Sequence, residues 1–130
     1  MKKDIESRAD IEHLLYSFYD RVKMDPVIGF IFTEVAAVNW ESHIPLIADF
    51  WENILLDNPV YKRNAMQVHF ELDRKVKLEE SHFNAWLSLF TSTVDALFTG
   101  DKAELAKVRA KGIAATMLHK LEVQRGKRIY

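Results

Sequence analysis

The sequence predicts an all-α fold, and two features of its hydrophobic pattern support that prediction. In four segments, apolar residues recur at the three- and four-residue spacing of amphipathic helices. No segment of useful length alternates apolar and polar residues as a half-buried strand would. The 130 residues suffice for one hydrophobic core but not for two, so we expect residues 1–130 to form a single domain.

The first predicted helix begins after Ser7. Ser7 and Asp10 have the spacing of a capping box, and an apolar stripe follows them, formed by Ile11, Leu14, Leu15, Phe18 and Val22. Asp25-Pro26 ends this helix, because a residue before proline is disfavoured in the helical region. The apolar segment 27–32 is too short for a long helix, and we expect one or two tight turns there.

The second predicted helix carries a histidine on its apolar stripe, which consists of His43, Ile47, Phe50, Trp51 and Ile54. Asp57-Asn58-Pro59 ends it. Pro45 leaves two alternatives for its start, because proline is tolerated in a first turn but removes a hydrogen bond further inside. Either the regular helix begins near Ser42, or Asn39 caps it and Pro45 bends it.

Two further helices are predicted in the C-terminal half. The third is terminated by Gly100, and its stripe consists of Phe83, Trp86, Leu87, Phe90, Val94, Leu97 and Phe98. The fourth opens with a second capping-box spacing, Asp101 and Glu104, and its stripe consists of Leu105, Val108, Ile113 and Met117. Residues 66–70 are only weakly periodic, and we expect them to form a connection that bears His69.

Composition limits the classes of function. A net charge of −1 gives no electrostatic reason to expect a nucleic acid or an anionic membrane as partner. The absence of cysteine excludes disulfides, thiolate metal sites, iron–sulfur clusters and Cys catalysis. No long apolar run or N-terminal signal pattern is present, so we expect a soluble, cytoplasmic protein.

The five histidines differ in their sequence surroundings. Surface or structural positions explain three of them: His13 opposite its helix stripe, His82 on a helix flank, and His119 in a polar-rich segment. His43 shares an apolar helix face, where a core imidazole bonded to a backbone carbonyl is an equally good explanation. His69, taken alone, is explained as a partly exposed connecting residue.

These two histidines gain meaning together with three aromatic side chains that lie on or beside the apolar stripes, Tyr19, Trp51 and Trp86. A small helical protein that directs a phenol, two indoles and an imidazole inward has the groups expected around a bound cofactor. An axial histidine on a haem iron, with polar groups facing the open coordination position, would use the whole set.

In order and spacing, several segments resemble the truncated haemoglobins of group III. The run Phe18-Tyr19-Asp20-Arg21-Val22 is similar to the family's B helix, and Trp40-Glu41-Ser42-His43 is similar to its E helix. The run Met66-x-x-His69 is similar to the segment of the proximal histidine, and His82-Phe83-x-x-Trp86 is similar to the G helix. The chain also lacks the paired loop glycines usual in groups I and II, although Asn64-Ala65 stands where the family often has Gly and Pro. The resemblance covers about residues 10–120 and implies a single truncated-globin domain, a two-over-two helical sandwich.

The resemblance also implies roles for individual residues. The cofactor would be haem b, and His69 would be the proximal ligand of its iron. Tyr19 and Trp86 would donate hydrogen bonds on the distal side, and His43 would form the remaining distal wall or gate. Further contacts to the haem would come from Phe32, Phe50, Trp51, Met66 and Trp86, and its propionates would pair with Arg63, Arg74 or Lys75.

The implied function is the binding of O2 and other diatomic ligands, NO and CO among them. Two or three donors around one ligand exceed what oxygen transport needs, and they suit tight retention or chemistry on nitric oxide or peroxide. Such turnover would need a separate reductase, since the chain has no flavin or nicotinamide domain. Two alternatives stay open: a haem-free globin-like module for protein interaction or signalling, and a helical bundle without any cofactor.

Overall fold

The computed structural model describes residues 2–61 and 64–129. Its elements are α1 (Arg8–Met24), a π-helix (Ile31–Val35), α2 (Trp40–Leu55), α3 (Ala65–Lys75), α4 (Glu80–Leu97) and α5 (Asp101–Ile129). Over these residues β pairing is limited to one isolated bridge between Lys3 and Phe98. The all-α prediction is therefore confirmed. Within the same ranges, no helix is long and apolar enough to cross a membrane.

The helices pack as two pairs around one core. α1 packs against α2 and α4, and α4 packs against α5, while α2 and α3 each reach α5 as well. The α1–α2 pair thus lies on the α4–α5 pair, and α3 lies beside them. The largest fully buried side chains come mainly from α1, α2 and α4, and they include Leu14, Phe18, Ile44, Leu55 and Phe90.

The start of α2 settles the question raised by Pro45. The side chain of Asn39 accepts hydrogen bonds from the amides of Glu41 (3.1 Å) and Ser42 (3.4 Å), so Asn39 caps the helix and Pro45 lies within it. The helix buries a stripe one residue further along the chain than the predicted one, consisting of Ile44, Ala48, Trp51 and Leu55. The predicted stripe therefore lies at the border of the core, where its side chains can line a cavity.

The prediction of a connection around His69 is wrong, because this segment forms the helix α3. Asn64 caps it by accepting a hydrogen bond from the amide of Gln67 at 3.1 Å. Arg74 and Lys75 lie in its last turn, where cations interact favourably with the helix dipole. Its sequence lacks a clear apolar stripe because this helix does not bury a row of apolar residues. Among its described side chains, the buried one is the carboxylate of Asp73.

The apolar face of α5 also differs from the prediction. Val108, assigned to the stripe, is 66% exposed. The buried face consists instead of small residues and one leucine, Ala103, Ala106, Ala110, Ala114 and Leu121. Alanine is a weak hydrophobic signal in a sequence, yet its short side chain allows a neighbouring helix to pack closely.

The N-terminal segment fixes the beginning of α5. The carboxylate of Asp4 accepts hydrogen bonds from the amides of Lys102 (3.0 Å) and Ala103 (2.9 Å). Gly100 has a φ of +132°, and a Cβ there would collide with Asp4. The first amides of α5 are therefore satisfied from the other end of the chain rather than by the predicted capping box. At α1 the predicted cap is present, since Ser7 accepts from the amide of Asp10 at 3.3 Å.

Candidate functional site

A cavity of about 160 Å³ lies between α1, the π-helix, α2, α3, α4 and α5. Its walls are mostly aromatic and aliphatic. Apart from Met66, the predicted site residues all line it: Tyr19, Phe32, His43, Phe50, Trp51, His69 and Trp86. We call the side formed by Tyr19, Phe32, His43, Trp51 and Trp86 the distal wall, and the side formed by His69, Leu72 and Leu78 the proximal wall.

Tyr19 is buried at the centre of a cluster of rings in the distal wall. Its ring centroid lies 5.7 Å from that of Phe32, 5.1 Å from that of Trp40 and 5.2 Å from that of His43. Burial raises the pKa of Tyr19, because the interior disfavours a charged phenolate. The hydroxyl therefore stays protonated and is available as a hydrogen-bond donor.

His43 holds a polar atom that lacks a partner. Its imidazole is half-buried on α2, and the buried Nε2 makes no hydrogen bond. Burial, and then the nearby His69, lower the pKa of His43, so the ring is neutral at neutral pH. Buried polar atoms without a partner are rare and destabilising, and one that lines a cavity indicates a place where a ligand can bind.

The two indoles of the distal wall are held by one phenylalanine. Phe90 of α4 lies between them, with its ring nearly parallel to Trp51 (4.9 Å, 16°) and to Trp86 (5.4 Å, 9°). Phe18 of α1 meets Trp86 edge-on at 5.9 Å and Phe90 at 5.3 Å. Residues from three helices therefore fix the position of this stack. The orientation of both indoles relative to the cavity is fixed as well.

His69 is the polar side chain of the proximal wall. It is half-buried on α3, and Leu72 and Leu78 line the cavity beside it. α2 and α3 thus each contribute one imidazole to the same cavity, His43 and His69. Among the residues that the structure describes, no three His, Cys, Asp or Glu side chains form a group that could bind a bare metal ion.

Some predicted contacts are not found in the cavity. Met66 packs against the hydrophobic core and is not among the residues that line the cavity. Arg74 and Lys75 are exposed at the end of α3, away from the cavity lining. Arg63 lies outside the described residues.

The other histidines divide into surface and cavity positions. His13 and His119 are exposed. His82 is half-buried, and its Nδ1 accepts a hydrogen bond from the amide of Glu79 at 2.9 Å, which caps α4. It also lines the cavity, which its position on a helix flank did not indicate.

Several cavity residues carry no signal that would separate them from the core. Phe83, Ile113 and Met117 belong to predicted stripes and were assigned to packing. Tyr61 lies outside any predicted helix, and its ring meets Phe50 edge-on at 5.3 Å. Their place in the cavity depends on how the helices cross, which the spacing within one helix cannot show.

Comparisons with known proteins agree with this geometry. No family model matches the chain. Over 126 residues the chain is 26% identical to the group 3 truncated hemoglobin ctb of Campylobacter jejuni, a match that covers 92% of this chain and 97% of that relative. The structure is also similar to the crystal structure of the group III truncated hemoglobin from Campylobacter jejuni, with a TM-score of 0.81 and 24% identity, over 93% of this chain and 95% of that one.

The fold is therefore that of a truncated globin, as predicted. Within this class, the chain is similar over nearly its whole length to a group III truncated haemoglobin, which confirms the resemblance seen in its sequence.

Proposed function

We propose that this chain binds haem b in the cavity, with His69 as the proximal ligand of the iron. The observation that carries the proposal is that His43 of α2 and His69 of α3 line one cavity, whose remaining walls are mostly apolar apart from Tyr19, Tyr61 and His82. A porphyrin supplies four nitrogen ligands itself, so one imidazole from the protein completes a globin-type site. When bound, haem would offer an open iron coordination position to O2, NO or CO.

The residues of the distal wall would stabilise such a ligand by hydrogen bonding. The Tyr19 hydroxyl is kept protonated by burial, and the Trp86 indole can only donate. The unpaired Nε2 of His43 is a third polar group of the cavity. A hydrogen bond to a charged partner contributes about 1.5–3 kcal/mol, and the apolar walls strengthen it by excluding water.

This number of polar groups favours tight ligand retention, or chemistry on nitric oxide or peroxide, over oxygen transport. In either chemistry the distal wall would supply hydrogen-bond donors. Electrons would come from a separate reductase, since nothing in the sequence resembles a flavin or nicotinamide domain.

A haem titration of the purified protein tests the proposal. We expect an intense absorption band near the blue edge of the visible range that saturates at one haem per chain. A matched titration of the His69→Ala variant would show how much of this band depends on the proposed iron ligand. If no saturable band appears after haem addition, the proposal is wrong, and the haem-free globin-like module becomes the better explanation.

A further inference from the structure

The helix that carries His69 is held in an unusual way. α3 has 11 residues, too few to be stable in isolation, so its position depends on contacts with the rest of the chain. Its described apolar side chains, such as Met66, Phe70 and Leu72, are only partly buried or exposed. Among the described side chains of α3, the buried one is the carboxylate of Asp73, whose residue is 7% exposed.

Asp73 connects three parts of the fold. Its Oδ1 accepts hydrogen bonds from Arg125 Nη2 of α5 at 2.6 Å and from the amide of Leu78 at 2.9 Å. Its Oδ2 accepts a second bond from Arg125 Nε at 3.3 Å, and Arg125 also donates to the carbonyl of Leu78. A two-point contact between guanidinium and carboxylate fixes orientation as well as distance. The end of α3, the connection to α4 and the last part of α5 are thereby joined.

This junction lies next to the proximal wall. His69 precedes Asp73 by four residues, so the two side chains lie on the same side of α3, one turn apart. Leu72 and Leu78, which flank Asp73 along the chain, line the cavity together with His69. Any rotation or retreat of α3 that breaks the Asp73–Arg125 pair would therefore move His69 and Leu72, and it would also strain the hydrogen bond from the Leu78 amide to Asp73.

We propose that Asp73 and Arg125 form a positioning pair that sets the rotation of α3 and hence the placement of the His69 imidazole in the cavity. Neither residue lines the cavity, so the pair acts through His69 rather than on a ligand. The inference rests on the proposed function, in which His69 binds the iron. It adds that the C-terminal helix controls the strength and geometry of that bond.

The test compares haem-loaded wild type with Arg125→Ala, Arg125→Lys and Lys107→Ala. Lys107→Ala is a matched control, because it removes an ion pair of 2.6 Å to Asp95 that also joins α4 and α5 but lies off the cavity lining. The readouts are the iron–histidine stretching band in the resonance Raman spectrum of the ferrous protein and the rate of haem transfer to an excess of a scavenging apoglobin.

We expect Arg125→Ala to shift or broaden the iron–histidine band and to speed haem loss by about tenfold or more. Arg125→Lys keeps the charge but not the two-point contact, so it should show a smaller change in the same direction. Lys107→Ala should match the wild type in both readouts. If Arg125→Ala does not fold, Arg125→Lys alone decides the question. We expect this variant to melt near the wild-type temperature and still to show the smaller change in the iron–histidine band and in the rate of haem loss.

Two results would overturn the inference, and they are distinguishable. If the iron–histidine band has the same position and width in both Arg125 variants as in the wild type, the pair is merely structural, while the proposed function stands. An iron–histidine band that stays unchanged in haem-loaded His69→Ala would instead show that His69 does not bind haem iron, and both proposals would fail together.

Discussion

The distal and proximal walls of the cavity are held by different kinds of contact. In the distal wall, rings from α1, α2 and α4 pack on one another, and Phe90 lies fully buried between two indoles. In the proximal wall, the described part of α3 has one buried side chain, and this is a carboxylate paired with Arg125. The distal wall is thus supported by fully buried rings, whereas α3 is held by partly buried apolar side chains and one buried ion pair.

This contrast implies that the two walls respond differently to damage. Tyr19 and Trp51 of the distal wall belong to the hydrophobic core, and Phe32 and Trp86 pack against it, so separating these rings would disrupt the core. The proximal wall can open locally if one pair breaks, because segments with few buried apolar contacts have the lowest opening free energies. Loss of the cofactor would therefore begin at α3.

The largest effect on stability is expected from Phe90, the core residue that supports the two indoles of the distal wall. Phe90→Ala removes the ring between Trp51 and Trp86 and leaves a cavity in the core, so it should lower the free energy of unfolding by about 3–5 kcal/mol. Urea unfolding of the haem-free protein measures this loss. Val108→Ala is the control, because Val108 is exposed and its substitution should cost less than about 0.5 kcal/mol. Equal losses in the two variants would contradict the account of the distal wall.

A smaller change isolates the chemistry of the distal wall from its packing. Tyr19→Phe removes one hydroxyl, and the lost bond of about 1.5–3 kcal/mol should speed O2 release about 10- to 150-fold. CO release should change far less, because CO carries less charge on its outer atom. Stopped-flow ligand release measures both rates, and Tyr16→Phe on the exposed side of α1 is the matched control. Equal acceleration for both gases would indicate altered access to the cavity instead.

The smallest expected effect lies outside both walls, at the cap of α5. Asp4→Asn should cost on the order of 1 kcal/mol at neutral pH, because Asn keeps one acceptor oxygen where the carboxylate of Asp4 accepts with both. Burial alone would raise the pKa of Asp4, but the hydrogen bonds from Lys102 and Ala103 lower it below its ordinary value. The stabilisation is therefore complete above the unfolded pKa of about 3.9 and is lost as pH falls through the lower folded pKa.

Unfolding measured between pH 7 and pH 2 checks this prediction. The difference in stability between wild type and Asp4→Asn should shrink below about pH 4. Asp20→Asn, at an exposed carboxylate of α1, is the control and should show little difference at any pH. A difference that stays constant down to pH 2 would mean that the Asp4 charge does not contribute.

Much of the distal wall could be predicted from the sequence. α1, α2 and α4 carry large apolar residues at regular helical spacing, and this pattern reports burial directly. Tyr19, Trp51 and Trp86 lie on or beside those stripes, so their inward direction follows from the helices that carry them. The shifted core stripe of α2 shows the limit of this reasoning, since a wide apolar face does not indicate which edge meets the core and which a cavity.

The proximal wall could not be predicted in the same way, because its contacts are remote in sequence. Asp73 is buried by Arg125, which lies 52 positions later, and no local pattern shows this pairing. The cap of α5 is similar, since Asp4 lies 98 positions before Lys102. The sequence alone offered His69 as one candidate axial histidine beside His43, and the resemblance to a known family gave it the proximal role.

The central claim is that His69 holds haem in this cavity, and one measurement tests it most directly: the haem content and absorption spectrum of His69→Ala. We expect this variant to lose stoichiometric haem, and added imidazole to restore part of the wild-type spectrum. Its apo form should also melt at a lower temperature than the haem-loaded wild type, because a ligand that binds the native state stabilises it. The exposed His119→Ala is the control and should keep full haem. Normal haem content and an unchanged spectrum in His69→Ala would contradict the claim and make His43 the next candidate for the iron ligand.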